Sequence, residues 1–481
     1  MFSWTENRIG SILILGVPVT TAGGCTMILA QLRVLLIGCL LAAVGTERPA
    51  ASSQEGFTDG GNIEKTFIAN IARAEELRKD IGALNKFIAG KGKLEAVDMP
   101  DIGISIVTGT FSESEIEELR SKGYEEPDPF VVNLFDGATC EGPELLGTSP
   151  TADIVPPSVC RVVGSPQPVA SGSPTVWIID SGVDWNVVTA GLLKVQEAID
   201  CTSSPCQTVS SLDDTVGHGT MVAAVIGGKR VQQGNQYVGL VGVSPDAPLK
   251  IVKAFSRLKT DIFGPPLLAL RHVRDNAVAG DILNVSWGAL YLESTRRGST
   301  LQDLKFLDAL LYQIADRQVR VVVAAGNPRE DEKGPWVQSY FPANAATYFS
   351  PVTTGNKVGA IYSASASNSE YIQGATPGKC QGISNAWCDT LWRGGAFGAS
   401  YAEPGVNVLS LWKSRKNGKL RRNICSGTSF AAPALAGLLV RNAQPTNKAL
   451  PTGGLIPNTD LVGYMTAGTP VNPSSDEPKC N

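Results

Sequence analysis

The apolar positions of this chain follow two different patterns. From Ile63 onward, Phe67, Ile71, Ala74, Leu77, Ile81, Leu84 and Phe87 recur at steps of three and four, the period of an amphipathic helix. Residues 104–107 read as a strand. Ser112-Glu113-Ser114-Glu115 has the form of a capping box and predicts a short helix through Leu119, with Gly123 placed to end it. Residues 130–132 predict a further strand, so a small α+β unit closes near Asp136. A looser stretch over 137–174, rich in Pro, Ser and Gly, follows it.

From Thr175 the pattern changes. Short, continuously apolar runs at 176–179, 249–252, 282–285 and 319–325 alternate with helical stretches at 219–226, 267–279 and 301–317. A strand without polar alternation is buried on both faces, and strands alternating with helices predict a mostly parallel α/β sheet. The segment 443–481 is turn-rich, with one helix predicted at 459–465.

Composition narrows the function classes. With 43% hydrophobic and 18% charged residues, the 481-residue chain is neither disordered, collagenous nor a coiled coil. Lys+Arg at 41 against Asp+Glu at 45 leaves a net charge of −4, with no basic excess to attract nucleic acid. Two histidines exclude a multi-histidine metal centre, so no metal ligands are assigned.

The first 45 residues are uncharged over 9–32 and 34–45 apart from Arg33 between them. Pro18 and Gly23-Gly24 spoil a single spanning helix there. An internal start at Met27 makes Arg33 the charged region of a signal peptide. Residues 34–43 are then its apolar core, and Ala43-Val44-Gly45 its cleavage site. A retained membrane anchor is the alternative. Ten cysteines are present; setting aside Cys25 and Cys39, an even number remains, which fits an oxidising compartment. Cys201/Cys206 and Cys380/Cys388 are spaced to close short loops, while buried free thiols are the competing explanation.

Four segments carry candidate chemistry. The apolar run 176–179 ends in Asp180-Ser181-Gly182, and the C-terminal ends of parallel strands are where open α/β sheets place their sites. Gly217-His218-Gly219-Thr220 wedges a histidine between glycines at the start of an apolar helix. Val323-Ala324-Ala325-Gly326-Asn327 delivers an amide donor from the end of another strand. Gly427-Thr428-Ser429 opens a helix at 428–438, where unpaired backbone N–H groups favour an anion forming on a bound carbonyl. Taken singly, these are a turn aspartate, a histidine, a turn asparagine and a helix cap.

In the order Asp, His, Asn, Ser, the set resembles the subtilisin-like serine proteases, or subtilases. The likeness runs from about residue 157 to 465 and extends to Asn284-Val285-Ser286-Trp287-Gly288, Phe341-Pro342-Ala343, Val358-Gly359-Ala360 and Glu403-Pro404-Gly405. It implies a three-layer α/β fold over 175–470 and a secreted serine endopeptidase acting on proteins or peptides. Asp180 would orient His218, His218 would act as general base and then general acid, and Ser429 would form an acyl-enzyme. The Asn327 amide and the Ser429 backbone N–H would form the oxyanion hole. Ser286, Trp287 and Gly288 would make one wall of the substrate groove, and Ala324, Ala325 and Gly326 the other. Trp287 replaces a smaller aliphatic residue usual there, which reshapes the apolar subsites.

By position, 46–136 is then an N-terminal propeptide that blocks the groove as an intramolecular inhibitor, with processing in 137–174 and a tail at 471–481. A permanent accessory domain is the alternative. The resemblance requires no cofactor and implies a monomer. Many subtilases hold structural calcium, but no contiguous loop here has the carboxylate spacing for it. Glu330-Asp331-Glu332 reads as a solvated loop. A catalytically inactive binding or scaffold protein of the same fold is the rival function, and the intact triad pattern weighs against it. His218 in Gly-His-Gly-Thr weighs against the serine–carboxyl peptidases, and His272 reads as a surface or packing residue.

An imidazole has an unperturbed pKa of about 6.5, so activity is expected at neutral to alkaline pH and falls as His218 protonates. A pH–rate profile still flat well below that range would contradict the histidine role.

Overall fold

The computed structural model describes residues 57–58, 62–70, 94–99, 104–121, 131–134, 139–146, 148–149, 155–163, 166–262, 264–290, 301–328, 336–354, 357–371, 387–392, 394–413, 420–442, 444–446 and 464–466. The expected signal segment, residues 71–87 of the expected first helix, Cys380 and the acidic loop at 330–332 lie outside them.

A ten-stranded sheet forms the frame. Its parallel centre runs, in spatial order, Val195–Asp200, Leu249–Lys253, Val176–Asp180, Ile282–Val285, Arg320–Ala324 and Lys357–Tyr371. Tyr401–Pro404 adds a further parallel strand on Lys357–Tyr371. Side chains alternate between the faces of each strand. Trp177 and Ile179 therefore join a core with Val252, Leu283, Val285, Val321 and Val323, under helices Pro265–Asn276 and Leu301–Asp316. Val176 and Ile178 join the opposite core with Ile251, Ile282, Val322 and Ala324, under helices His218–Gly227 and Thr428–Val440. This is the expected three-layer α/β arrangement. All five residues of Val176–Asp180 are buried, which is why that run shows no polar alternation.

The four predicted core strands and three predicted helices all form, with bounds shifted by a few residues at most. His272 lies on helix Pro265–Asn276 with its ring edge-on to Trp177, a packing position.

The N-terminal α+β unit differs from expectation at its start. Asn62–Asn70 is a strand, not the beginning of a helix, and pairs antiparallel with Ile104–Phe111. Ile63, Phe67 and Ile68 suit either period over so short a run, and the long-range partner decides: Phe67 faces Val107 across the ladder. Leu94–Met99 pairs on the other side of Ile104–Phe111. Helix Glu113–Ser121 forms as the capping box predicts. A second difference falls near the C-terminus, where Tyr464–Thr466 is a strand on Gln444–Thr446 rather than the end of a helix. A paired extended partner again outweighs the local pattern.

Ile251→Ala, in the fully buried centre of the sheet, should cost about 2–5 kcal/mol in urea unfolding. Val278→Ala, at a position 64% exposed, should change stability by no more than about 0.5 kcal/mol.

Candidate active site

The strand Val176–Asp180 delivers the Asp180 carboxylate, wholly buried, to the C-terminal edge of the sheet. A buried charge needs partners. Both carboxylate oxygens lie 2.9 Å from Nδ1 of His218, and the Ser181 backbone N–H donates to Oδ1 at 2.7 Å. His218 is the first residue of its helix and fully buried.

Close backbone approach makes this pairing possible. A Cβ on Gly219 would sit 2.1 Å from the Gly182 carbonyl oxygen and 3.2 Å from Asp180 Oδ1, so only glycine fits after the histidine.

A second buried carboxylate, Asp214, lies four residues before His218. Its Oδ1 accepts from the backbone N–H of Val216 at 3.1 Å and Gly217 at 2.6 Å, and from the Ser181 hydroxyl at 2.8 Å. Its Oδ2 accepts from the Thr220 N–H at 2.9 Å and the Thr220 hydroxyl at 2.6 Å. Burial pushes the Asp214 carboxyl above its ordinary range, while these donors pull it back. Sequence reading missed this residue; the spacing Asp-x-x-x-His at the head of a glycine-flanked helix was the available signal.

Ser429 comes from the same helical layer as His218, in the first turn of helix Thr428–Val440, which packs against the helix that carries His218. The next residue, Phe430, sets its ring 5.7 Å from the imidazole. The Ser429 hydroxyl is buried and makes no hydrogen bond, so none joins it to His218 in this state. Catalytic hydrogen bonds of this kind are often long in unliganded structures.

Asn327 is fixed by its carbonyl end. Its Oδ1 accepts from the Thr428 N–H at 2.8 Å and the Thr428 hydroxyl at 2.9 Å, so the amide nitrogen is the donor this side chain presents. Asn327 and Ser429 line one pocket, together with Ser286, Trp287, Gly288, Ala324 and Gly326. Ala325 does not line it: its side chain belongs to the core, and its N–H donates to Ala364. The Trp287 indole also turns away from solvent. It is 1% exposed, packs on Phe255 and Phe341, and donates its N–H to the Ile179 carbonyl at 2.9 Å. The groove wall is thereby tied to the residue that precedes Asp180.

One occupant of the groove comes from the chain itself. The short strand Val131–Asn133 pairs antiparallel with Lys259–Asp261 on one side. On the other side, Asn133 exchanges hydrogen bonds with Gly288, N–H to O at 2.9 Å and O to N–H at 3.1 Å. Leu134 then donates to the Leu258 carbonyl at 3.0 Å. Val132 and Leu134 are buried, and Asn133 and Leu134 line the pocket that also holds Ser429 and Asn327. An extended segment added between two edges is the β-augmentation mode of peptide binding.

Cys201 and Cys206 form a disulfide closing a short loop. Among the described residues, no group of three or more His, Cys, Asp or Glu side chains converges to hold a metal ion, and no helix is long and apolar enough to cross a membrane.

Comparison with known proteins adds four observations. The family model described as "Subtilase family" matches residues 171–455. A subtilisin of Bacillus sp. (strain TA39) is 25% identical over 281 residues, covering 57% of this chain and 57% of the relative. The subtilisin-like serine protease Pen ch 18 of Penicillium rubens is 27% identical over 282 residues, covering 55% of this chain and 45% of the relative. The chain thus spans about half the length of the curated relatives it matches. Among solved structures, the epidermin leader peptide processing serine protease of Staphylococcus aureus aligns over 78% of this chain and 87% of that one, at 16% identity and a TM-score of 0.47.

Gly219→Ala should lower stability by about 2 kcal/mol or more, because the clash is with backbone that cannot rotate aside. Thermal unfolding checks this; an unchanged Tm would contradict the close approach.

Proposed function

Because the chain belongs to the subtilase family, we propose that it is a serine endopeptidase that hydrolyses peptide bonds through an acyl-enzyme and is made as a self-inhibited precursor. The observation that carries the reading is convergence. Three placements support it: a buried Asp180–His218 pair, the ring of Phe430, next to Ser429 in the chain, 5.7 Å from that imidazole, and a pocket lined by both Ser429 and Asn327.

In this reading His218 Nε2 takes the Ser429 proton as Oγ attacks the substrate carbonyl carbon. Asp180, bound at Nδ1, fixes the tautomer and stabilises the imidazolium that forms. The new oxyanion lies against the Ser429 backbone N–H, at the positive end of its helix, and the Asn327 amide. His218 then protonates the leaving amine, and water attacks the acyl-enzyme with His218 again as base. Substrates are extended protein or peptide segments held as an added strand between residues 258–261 and Gly288.

The segment at 131–134 already holds that position, which supports its reading as the tail of an inhibitory propeptide. Its approach to Ser429 supports processing within the first residues after Leu134, at or near the start of the 137–174 region. The leader pattern and the Cys201–Cys206 disulfide support secretion, with membrane anchoring as the alternative.

The purified, processed protein should react with a fluorophosphonate probe at pH 8 at Ser429, and Ser429→Ala should not. Absence of labelling after verified removal of the segment before 137 would favour the inactive scaffold. Asn327→Ala should lower kcat by about 10²–10³, the magnitude established for the matching donor in subtilisin itself, with little change in KM. Intact-mass analysis should show a new N-terminus after Leu134. An active enzyme that keeps residues 63–136 covalently attached would overturn the precursor proposal.

A further inference from the structure

We propose that Asp214 is a positioning residue for the Asp180–His218 pair, acting through the proton of the Ser181 hydroxyl. The inference rests on the reading of His218 as the general base.

Ser181 Oγ has one proton and two carboxylates to choose from. Asp214 Oδ1 lies at 2.8 Å and Asp180 Oδ1 at 3.2 Å. The same oxygen accepts the Gly219 N–H at 3.0 Å, which occupies one lone pair and fixes the orientation of the hydroxyl. A single proton serves one acceptor well. The shorter contact assigns it to Asp214, and Asp180 Oδ1 is left to the Ser181 N–H and the imidazole.

Asp214 holds this role because its surroundings are built from donors. Three are backbone N–H groups, which cannot turn round, and the Thr220 hydroxyl accepts the Asp184 N–H at 3.0 Å, so its own proton points to Asp214. These donors favour the anion, against the burial that pushes the carboxyl up. The bonds also tie together Val216, Gly217 and Thr220, the residues that bracket His218. Replacement by a neutral amide weakens the pull on the Ser181 proton, which then swings to the remaining carboxylate, Asp180. An Asp180 that accepts this extra hydrogen bond stabilises imidazolium less, and the loss of the Asp214 charge acts in the same direction.

The other charged groups around this cluster are Asp184, Asp213 and Lys253. The Lys253 ammonium is engaged by the Asp213 carbonyl at 2.6 Å, and the Asp184 carboxylate caps the helix that follows it. The helix Thr428–Val440 presents the uncharged Phe430. None of these supplies Ser181 with an alternative acceptor.

The test uses NMR titration in a Ser429→Ala background, where self-cleavage is absent. The chain has two histidines, so the His218 ring signal is assigned by its loss in His218→Ala. Asp214→Asn should move the His218 midpoint to lower pH by about half a unit or more. The same change made on top of Ser181→Ala should produce a clearly smaller shift. In the active enzyme, the acid limb of kcat/KM should move the same way, with kcat about tenfold lower and KM little changed.

A less stable Asp214→Asn protein whose midpoint stays within about 0.1 unit of its parent would overturn the proposal and leave Asp214 as a loop anchor only. An equal shift with and without Ser181 would overturn the route through the hydroxyl. If Asp214→Asn does not fold, neutron diffraction of deuterated Ser429→Ala decides: a Ser181 deuteron aimed at Asp214 supports the proposal, and one aimed at Asp180 refutes it. The NMR readout does not need turnover, whereas failure of the fluorophosphonate to label Ser429 bears on the protease reading alone.

Discussion

The structure depends on one constraint: a strand buried on both faces ends in a carboxylate. Val176–Asp180 has no solvent on either side, so Asp180 arrives at the sheet edge already stripped of water. An ionised carboxylate left unpaired there is costly, and the surrounding chain supplies two partners and the room for them. The Ser181 backbone turns an N–H onto it, the helix at His218 presents an imidazole nitrogen, and Gly219 leaves out the side chain that would block the approach. The same strand sets the groove, since the Trp287 indole hangs from the Ile179 carbonyl immediately before Asp180. Displacement of that strand end would disturb the carboxylate, the imidazole and the peptide-binding wall together.

Around this pair the fold divides the work between its two faces. One layer of helices fills the core behind Trp177 and Ile179. The other supplies helix His218–Gly227 and helix Thr428–Val440, both almost wholly apolar and buried, so their N-terminal residues are held by packing rather than by surface contacts. Asn327, fixed through Thr428, links the end of a core strand to the head of the second helix. Rigid elements with their ends meeting at one edge are suited to hold a hydroxyl, an imidazole and an amide donor for repeated use.

Much of this was legible in the sequence, for a physical reason. Strands buried on both faces write continuous apolar runs, so the central sheet from Val176 to Ala324 could be read without a partner in view. The site residues sit at the ends of those runs beside glycines that only close backbone contact explains. What was not legible depended on long-range pairing. Ile63 to Asn70 fits a helix or a strand until Ile104–Phe111 is placed beside it. The groove-bound segment at 131–134 is a short apolar stretch whose meaning comes from Gly288, more than 150 residues away. The walls were located by backbone but not by side chain, because burial of Ala325 and Trp287 depends on which way each points. Asp214 carries no signal except its distance from His218. Glu403 is wholly buried on Tyr401–Pro404, a position its charge alone does not predict.

The central claim is that a buried Asp180–His218 hydrogen bond organises the site. Low-field proton NMR of the Ser429→Ala protein tests it most directly. The account predicts a strongly deshielded Nδ1 proton, protected from exchange by burial, that disappears in both His218→Ala and Asp180→Ala. A spectrum without that signal, or with one that survives Asp180→Ala, would contradict it.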